Sequence, residues 1–206
     1  SGRRGRIQGE MAYKPDADGW RLDAGIRGDG LVFASTEETE EQLRKRPEFS
    51  LDAELGGRGT NLRDLVATLD GRVLMHSGAG VLPGGSGRLV RLLFGAFGTE
   101  LLQAVNPLAK SSSKTNVNCA VLMLQVDGGI VTGDPALVMQ TDMLNIFGKG
   151  KINLVTEALD FDFNTQQRKG IGLSLGDLIN PYTKVGGTLA SPVIELDSTG
   201  ALVEGG

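Results

Sequence analysis

Apolar and polar residues alternate with a period of two over most of this chain. The clearest instance is Gly148 to Asn164. There Ile152 and Leu154 alternate with Lys151 and Asn153, and Leu159, Phe161 and Phe163 alternate with Asp160, Asp162 and Asn164. Successive side chains on a strand point to opposite faces, so each half has one apolar and one polar face. Val155 to Ala158 is a connection short enough for antiparallel neighbours. The same rhythm marks Ile7 to Tyr13 and Trp20 to Ile26, a first hairpin around the turn-forming Lys14 to Gly19. It returns at Phe49 to Leu55, Val73 to Met75, Val117 to Val126, Ile130 to Thr132 and Ala136 to Thr141. Ile171 to Leu175, Val185 to Leu189 and Val193 to Leu196 complete the series, and Leu31 to Phe33 is a further short candidate. Cys119 to Val126 is apolar at both parities, which predicts a strand covered on both sides.

Two segments carry a helical period instead. Leu62, Leu65, Val66 and Leu69 predict a helix over 61–70, capped by Thr60 or Asn61 and stopped by Gly71, after Gly56 to Gly59 break the preceding strand. Leu89, Leu92, Leu93, Ala96, Phe97, Leu101 and Val105 form a broad stripe that predicts a helix over 88–106, ended by Asn106-Pro107. A third stretch, from Ser35 to Arg46, is charged. Ser35 and Glu38 fit a capping box, and Glu40/Arg44 and Glu41/Lys45 stand at i,i+4, so it is a short helix or a solvated loop.

The expected fold is mainly β with two helices. A curved, largely antiparallel sheet forms an open groove or partial barrel, with helices 61–70 and 88–106 packed on it. Residues 1–60 contribute strands and the charged segment to the same sheet, 61–197 form the main domain, and 198–206 a flexible tail. At 206 residues such a chain can bury a core.

Composition narrows the function classes. The formal net charge is -4 with acids and bases interleaved, which argues against a nucleic-acid partner. The 31 glycines follow no three-residue period and suit a chain rich in turns and bulges. Cys119 is the single cysteine, so there is no intrachain disulfide and no Cys-rich metal site. No apolar run reaches the roughly 20 residues of a membrane helix. Ser1-Gly2 before the abrupt Arg3 to Glu10 reads as the start of a piece cut from a longer protein, so a missing anchor here says nothing of the parent.

Candidate chemistry is thin. Gly172-Leu-Ser-Leu-Gly176 matches the Gly-x-Ser-x-Gly elbow, but that turn needs a βα-alternating chain and a histidine after the serine, whereas His76 precedes Ser174. His76 has no second histidine or cysteine near it in sequence to share a metal. Pro83 to Arg88 is glycine-rich but lacks the lysine of a phosphate loop. Asp160 and Asp162 share a strand face with Asn164, the pattern of a solvated surface rather than of paired catalytic carboxylates or a calcium site. No catalytic residue, metal ligand or cofactor is expected.

From Leu62 onward the order of features resembles the C-terminal region of the AsmA family of Gram-negative envelope proteins. Leu62 to Gly71 resembles its short helix leading into a strand, and Asn118-Cys-Ala120 with Val126-Asp-Gly-Gly129 its Asn-Cys-Ala strand and following turn. Gly148-Lys-Gly-Lys-Ile-Asn-Leu154, Glu157 and Leu159-Asp160 resemble its glycine-spaced strand and the strand returning from it. Val185-Gly-Gly-Thr-Leu-Ala-Ser-Pro192 resembles its closing element. These span roughly residues 60 to 197, and nothing before them matches.

The resemblance implies a non-enzymatic periplasmic region of a protein anchored in the inner membrane. Its role would be to support phospholipid transport to, and assembly of, the outer membrane through a hydrophobic β groove. Its partners would be phospholipid or another lipid, and an outer-membrane or periplasmic protein. A groove of that kind would be lined by Leu122, Leu124, Val126, Leu137, Met139, Leu154, Leu159, Phe161 and Phe163. The same faces would equally make a dry core against the helices, and both readings of Leu159, Phe161 and Phe163 stay open here. The alternative is a structural module that docks a partner through an exposed sheet edge.

Overall fold

A computed structural model of the chain describes residues 5–17, 19–32, 39–83, 114–168 and 182–196. These residues form one 11-stranded antiparallel sheet and two short helices. The strands are β1 (Arg6–Asp16), β2 (Gly19–Leu31), β3 (Phe49–Gly59), β4 (Asp70–Ser77), β5 (Gly80–Pro83), β6 (Lys114–Asp127), β7 (Ile130–Thr141), β8 (Leu144–Asn153), β9 (Leu159–Gln167), β10 (Tyr182–Gly187) and β11 (Pro192–Leu196). Helix α1 is Glu40–Arg44 and α2 is Leu62–Ala67. The sheet is a meander in chain order, except that β5 pairs with β6 off the main path, beside β4. It is open: among the described residues neither β1 nor β11 has a second neighbour.

The β1/β2 hairpin forms as the alternation predicts, and its strands are longer than expected because the pairing runs from Arg6↔Asp29 to Asp16↔Gly19. Leu31 is not a strand of its own. It ends β2 after a register shift between Gly28 and Leu31. The charged segment is helical, but its cap is Thr39, not Ser35. The Thr39 N–H donates to Gln42 Oε1 at 2.9 Å and the Gln42 N–H to Thr39 Oγ1 at 3.4 Å, which closes a capping box. Ser35 and Glu38 lie outside the described residues, as do the expected helix over 88–106 and the strand Ile171 to Leu175.

Gly56 to Gly59 do not break a strand. They extend β3, because α2 lies against them. A Cβ on Gly57 would come within 2.8 Å of the Leu65 carbonyl oxygen, and one on Gly59 within 2.6 Å of Asp64 Cβ. The helix is shorter than the 61–70 expected. Asn61 caps it by accepting from the Asp64 N–H at 3.0 Å, and the chain leaves the helix at Thr68. The Thr68 hydroxyl accepts from the Arg58 N–H at 2.8 Å and ties the end of α2 to β3. Gly71 stops nothing; it sits inside β4 at φ +147°, a backbone conformation that favours glycine.

Ile130 to Thr132 and Ala136 to Thr141 are one strand, β7, interrupted at Gly133–Ala136 by a bulge that carries a cis Asp134-Pro135 bond. β6 shifts register in step between Leu122 and Gln125. β8 starts at Leu144, ahead of the glycine-spaced stretch that the alternation marks. Its own turn to β9 is built by Asn153, whose Oδ1 accepts from the Val155 N–H at 2.9 Å and the Thr156 N–H at 3.0 Å.

The densest core lies in β8, β9 and β10. Leu144, Ile146, Phe163 and Val185 are buried together, and Leu137, Met139, Met143, Leu159, Phe161 and Ile194 pack around them. Each fully buried aliphatic side chain contributes about 1.5–3 kcal/mol relative to leaving it in water.

Candidate functional site

The strand register sorts the side chains of the whole sheet into two faces. Directly opposed residues share a face, so Ile146, Met139, Leu122, Met75, Leu51 and Ile7 can be traced into a single surface. Ile146 opposes Met139, Leu137 opposes Leu122, Leu122 opposes Met75, and Met75 opposes Leu51. Leu51 opposes Gly28, and Gly28 opposes Ile7. In the other direction, Thr165, Phe163 and Phe161 of β9 lead to Val185 of β10 and Ile194 of β11. This face is apolar on every strand of the main path.

The opposite face is charged toward both ends of the sheet and apolar in the middle, where Leu74 opposes Met123, Val121 opposes Val138 and Val138 opposes Phe147. Arg27 bonds to Asp52 at 3.0 Å and to Glu54 at 3.2 Å, and Arg72 to Glu54 at 3.2 Å, which links β2, β3 and β4. Asp160 lies 3.7 Å from both Lys151 and Lys184, which links β8, β9 and β10. Cross-strand pairs of opposite charge favour this register, though each exposed pair is worth only about 0–1 kcal/mol.

Exposure along the apolar face is graded. Around β8 to β10 it is closed, with Leu144 and Ile146 at 0% relative exposure. On β3, β4 and β6, Leu51, Leu55, Val73, Met75, Leu122 and Leu124 are half-buried. On β1 and β2 it is open: Ile7, Met11 and Tyr13 are exposed, and so are Trp20 and Ile26. The Tyr13 and Trp20 rings stack 4.7 Å apart at this open end.

Eight of the nine residues singled out from the sequence fall on this one face. Leu122, Leu124 and Val126 are on β6, Leu137 and Met139 on β7, and Leu159, Phe161 and Phe163 on β9. Leu154 is not on the sheet; it stands in the turn after β8, where its N–H donates to the Gly129 carbonyl at 2.9 Å. Val126 and Phe163 are buried, and Phe163 is a member of the core cluster. Sequence reasoning passed over Leu22, Ala24, Leu51, Leu55, Val73 and Met75, which extend the face into its more open half. The signal for them was the same alternation, together with the strand-to-strand register that only the fold supplies.

Cys119 to Val126 is not covered on both sides. Cys119 and Met123 are exposed on the polar face. Met123 opposes Leu74, and together they floor a hollow of about 690 Å³ where β6 and β7 shift register. Arg72, Lys149, Lys151, Asp134, Asp160 and Asp162 stand around it. Cations and carboxylates are equal in number there, so the rim has no net preference for one sign.

Asp160 is engaged by two lysines and Asp162 is exposed beside it, the arrangement of a solvated face. His76 is exposed on the polar side of β4, opposite Ser50 and Val121. Ser174 and the loop after Pro83 lie outside the described residues. Among the described residues no group of three His, Cys, Asp or Glu is placed to hold a metal, and no helix is long and apolar enough to cross a membrane. Compared with known protein families, with curated proteins and with solved structures, the chain matches none.

Proposed function

We propose that this chain is a non-enzymatic part of an AsmA-like envelope protein, and that its apolar sheet face carries the acyl chains of phospholipid. One observation supports the reading above others: the register aligns the apolar parity of ten successive strands on one side, while the cross-strand ion pairs of Arg27, Arg72 and Asp160 all stand on the other. Ten strands at about 4.8 Å spacing extend about 43 Å, longer than the roughly 30 Å hydrocarbon thickness of a bilayer. A phospholipid crossing water exposes about 30 methylenes at about 0.8 kcal/mol each, so a continuous apolar track lowers the barrier to its movement with no cofactor and no chemical step. In this reading β8 to β10 hold the sheet together, and the half-buried side chains of β3, β4 and β6 contact the lipid. The parent protein is placed in the periplasm, attached to the inner membrane, and hands lipid to an outer-membrane or periplasmic partner.

The test is native mass spectrometry of the purified chain, with extraction and analysis of bound lipid. Phospholipid at a defined stoichiometry is expected. It should be lost in Leu124→Asp and kept in Leu74→Asp, which places the same charge on the polar side of a neighbouring strand. A clean apo mass with no uptake from phospholipid vesicles overturns the reading. The exposed edge of β1 favours a second one, a module that docks a partner through strand addition.

A further inference from the structure

The outer edge of β1 is 11 residues long and has no neighbour among the described residues. Pro15 fixes which of its backbone groups are free. It has no N–H, and it stands opposite Trp20 in an unbroken ladder with β2. A proline fits a paired strand where its nitrogen faces away from the partner. Backbone direction alternates along a strand. Tyr13, Met11, Gly9 and Ile7 therefore turn their N–H and C=O groups outward with Pro15, while Lys14, Ala12, Glu10, Gln8 and Arg6 bond to β2. The outward-facing residues are also those whose side chains lie on the apolar face, and Ile7, Met11 and Tyr13 are 64%, 76% and 57% exposed. An edge of this length with an apolar side is a template for another strand.

We propose that the edge takes β1 of a second copy of this chain, antiparallel, about a two-fold axis at Met11. This rests on the edge-docking reading and is independent of the lipid one. A two-fold antiparallel pair opposes residues whose numbers have a constant sum, and it bonds only where outward-facing residues meet. Centring on Glu10 sets the two Glu10 carboxylates against each other and Arg6 against Lys14, which is repulsive. Centring on Ala12 carries Arg6 and Ile7 past the end of the partner strand. Centring on Met11 opposes Arg6 to Asp16 at both ends, Gln8 to Lys14 and Glu10 to Ala12.

On the apolar side that register sets Tyr13 opposite Gly9 of the other copy. The pairing has a precedent inside the sheet, where Phe163 directly opposes Gly148 and covers it. The axis stands perpendicular to the sheet, so the apolar faces of both copies lie on the same side and form one surface.

Cysteine scanning reads the register. In a Cys119→Ser background, Met11→Cys places two thiols on residues about 5.5 Å apart at Cα, within disulfide range. Oxidation should give a covalent dimer rapidly for Met11→Cys and slowly for Glu10→Cys and Ala12→Cys. In sedimentation, Met11→Pro removes two edge bonds without touching the β1/β2 ladder and should weaken the dimer about 30-fold. Arg6→Asp or Asp16→Arg should weaken it as well, and the two together should restore it. Rapid cross-linking at Glu10→Cys or Ala12→Cys instead would overturn the register and leave edge docking standing. A chain that stays monomeric at every concentration, with freely exchanging Ile7, Met11 and Tyr13 amides, would overturn both. Neither result bears on lipid co-purification.

Discussion

The Phe163 ring lies over the Cα of Gly148, so close that a Cβ at position 148 would stand 2.7 Å from Phe163 Cε1 and 2.9 Å from Cδ1. The two residues oppose each other across β8 and β9, inside the most buried part of the sheet. The glycine is there because the aromatic ring occupies the space its side chain would need. Gly148→Ala is therefore expected to destabilise the fold by about 1–3 kcal/mol, the usual cost of overpacking. Chemical denaturation measures it. Adding Phe163→Leu should recover part of the loss, and a strictly additive pair would mean that the ring does not set the requirement.

A second contact with a testable consequence joins Glu41 and Lys45 on α1. Glu41 accepts from Lys45 Nζ at 2.8 Å, and this hydrogen bond, followed by the attraction of the ammonium, holds the Glu41 carboxyl below its usual range. A depressed carboxyl pKa gives stability that is present above the unfolded value and lost as pH falls through the folded one. The α1 turn should fray as pH drops below about 4.5, the ordinary value. Glu41→Gln should remove that pH dependence. Amide chemical shifts of Gln42 to Lys45 through an acid titration report it, and an unchanged midpoint in the variant would refute the assignment.

Ser77 presents the opposite case. It is buried on the apolar face between Phe49 of β3 and Ala120 of β6, and its hydroxyl has no hydrogen-bond partner among the described residues. A buried hydroxyl left unpaired is a cost, so replacing it by a methyl group of nearly the same shape removes the cost without opening a cavity. Ser77→Ala is expected to be neutral or stabilising by about 1 kcal/mol. A loss of stability in thermal and denaturant unfolding would show that the hydroxyl has a partner in solution.

Much of this was legible in the sequence, and what was not has specific physical causes. Leu159, Phe161 and Phe163 announce one face of β9 because the period of two is local and needs no partner to be seen. Gly56 to Gly59 misled, because a glycine run reads as a break unless α2 is known to rest on it. The bulge at Gly133–Ala136 divided β7 into two apparent strands, since Gly133, Asp134 and Pro135 interrupt the apolar rhythm even though the register shift keeps its parity. Leu144 and Ile146, the most buried pair, went unmarked. Met143 before them and Phe147 after them are apolar too, which hides the alternation that Asn145 alone supplies. That Leu122, Met75 and Leu51 share a surface was beyond the sequence altogether, because it follows from long-range register.

The grading of the apolar face leads to the prediction most relevant to function. Ile146 and Met11 occupy the same side of one sheet, yet Ile146 is 0% exposed and Met11 76%. Truncating Ile146 leaves a cavity among Leu144, Phe163 and Val185, so Ile146→Ala should cost about 2–5 kcal/mol. Truncating Met11 removes a side chain that water already reaches, and Met11→Ala should change stability by less than about 0.5 kcal/mol. Denaturant unfolding of the two variants at equal concentration measures the difference. Met75, half-buried on β4 between these limits, should fall between them. If Met75→Ala costs as much as Ile146→Ala, the middle of the face is closed core and has no room for an acyl chain. A cost near that of Met11→Ala leaves an apolar surface that folding does not use, as a lipid-carrying face requires.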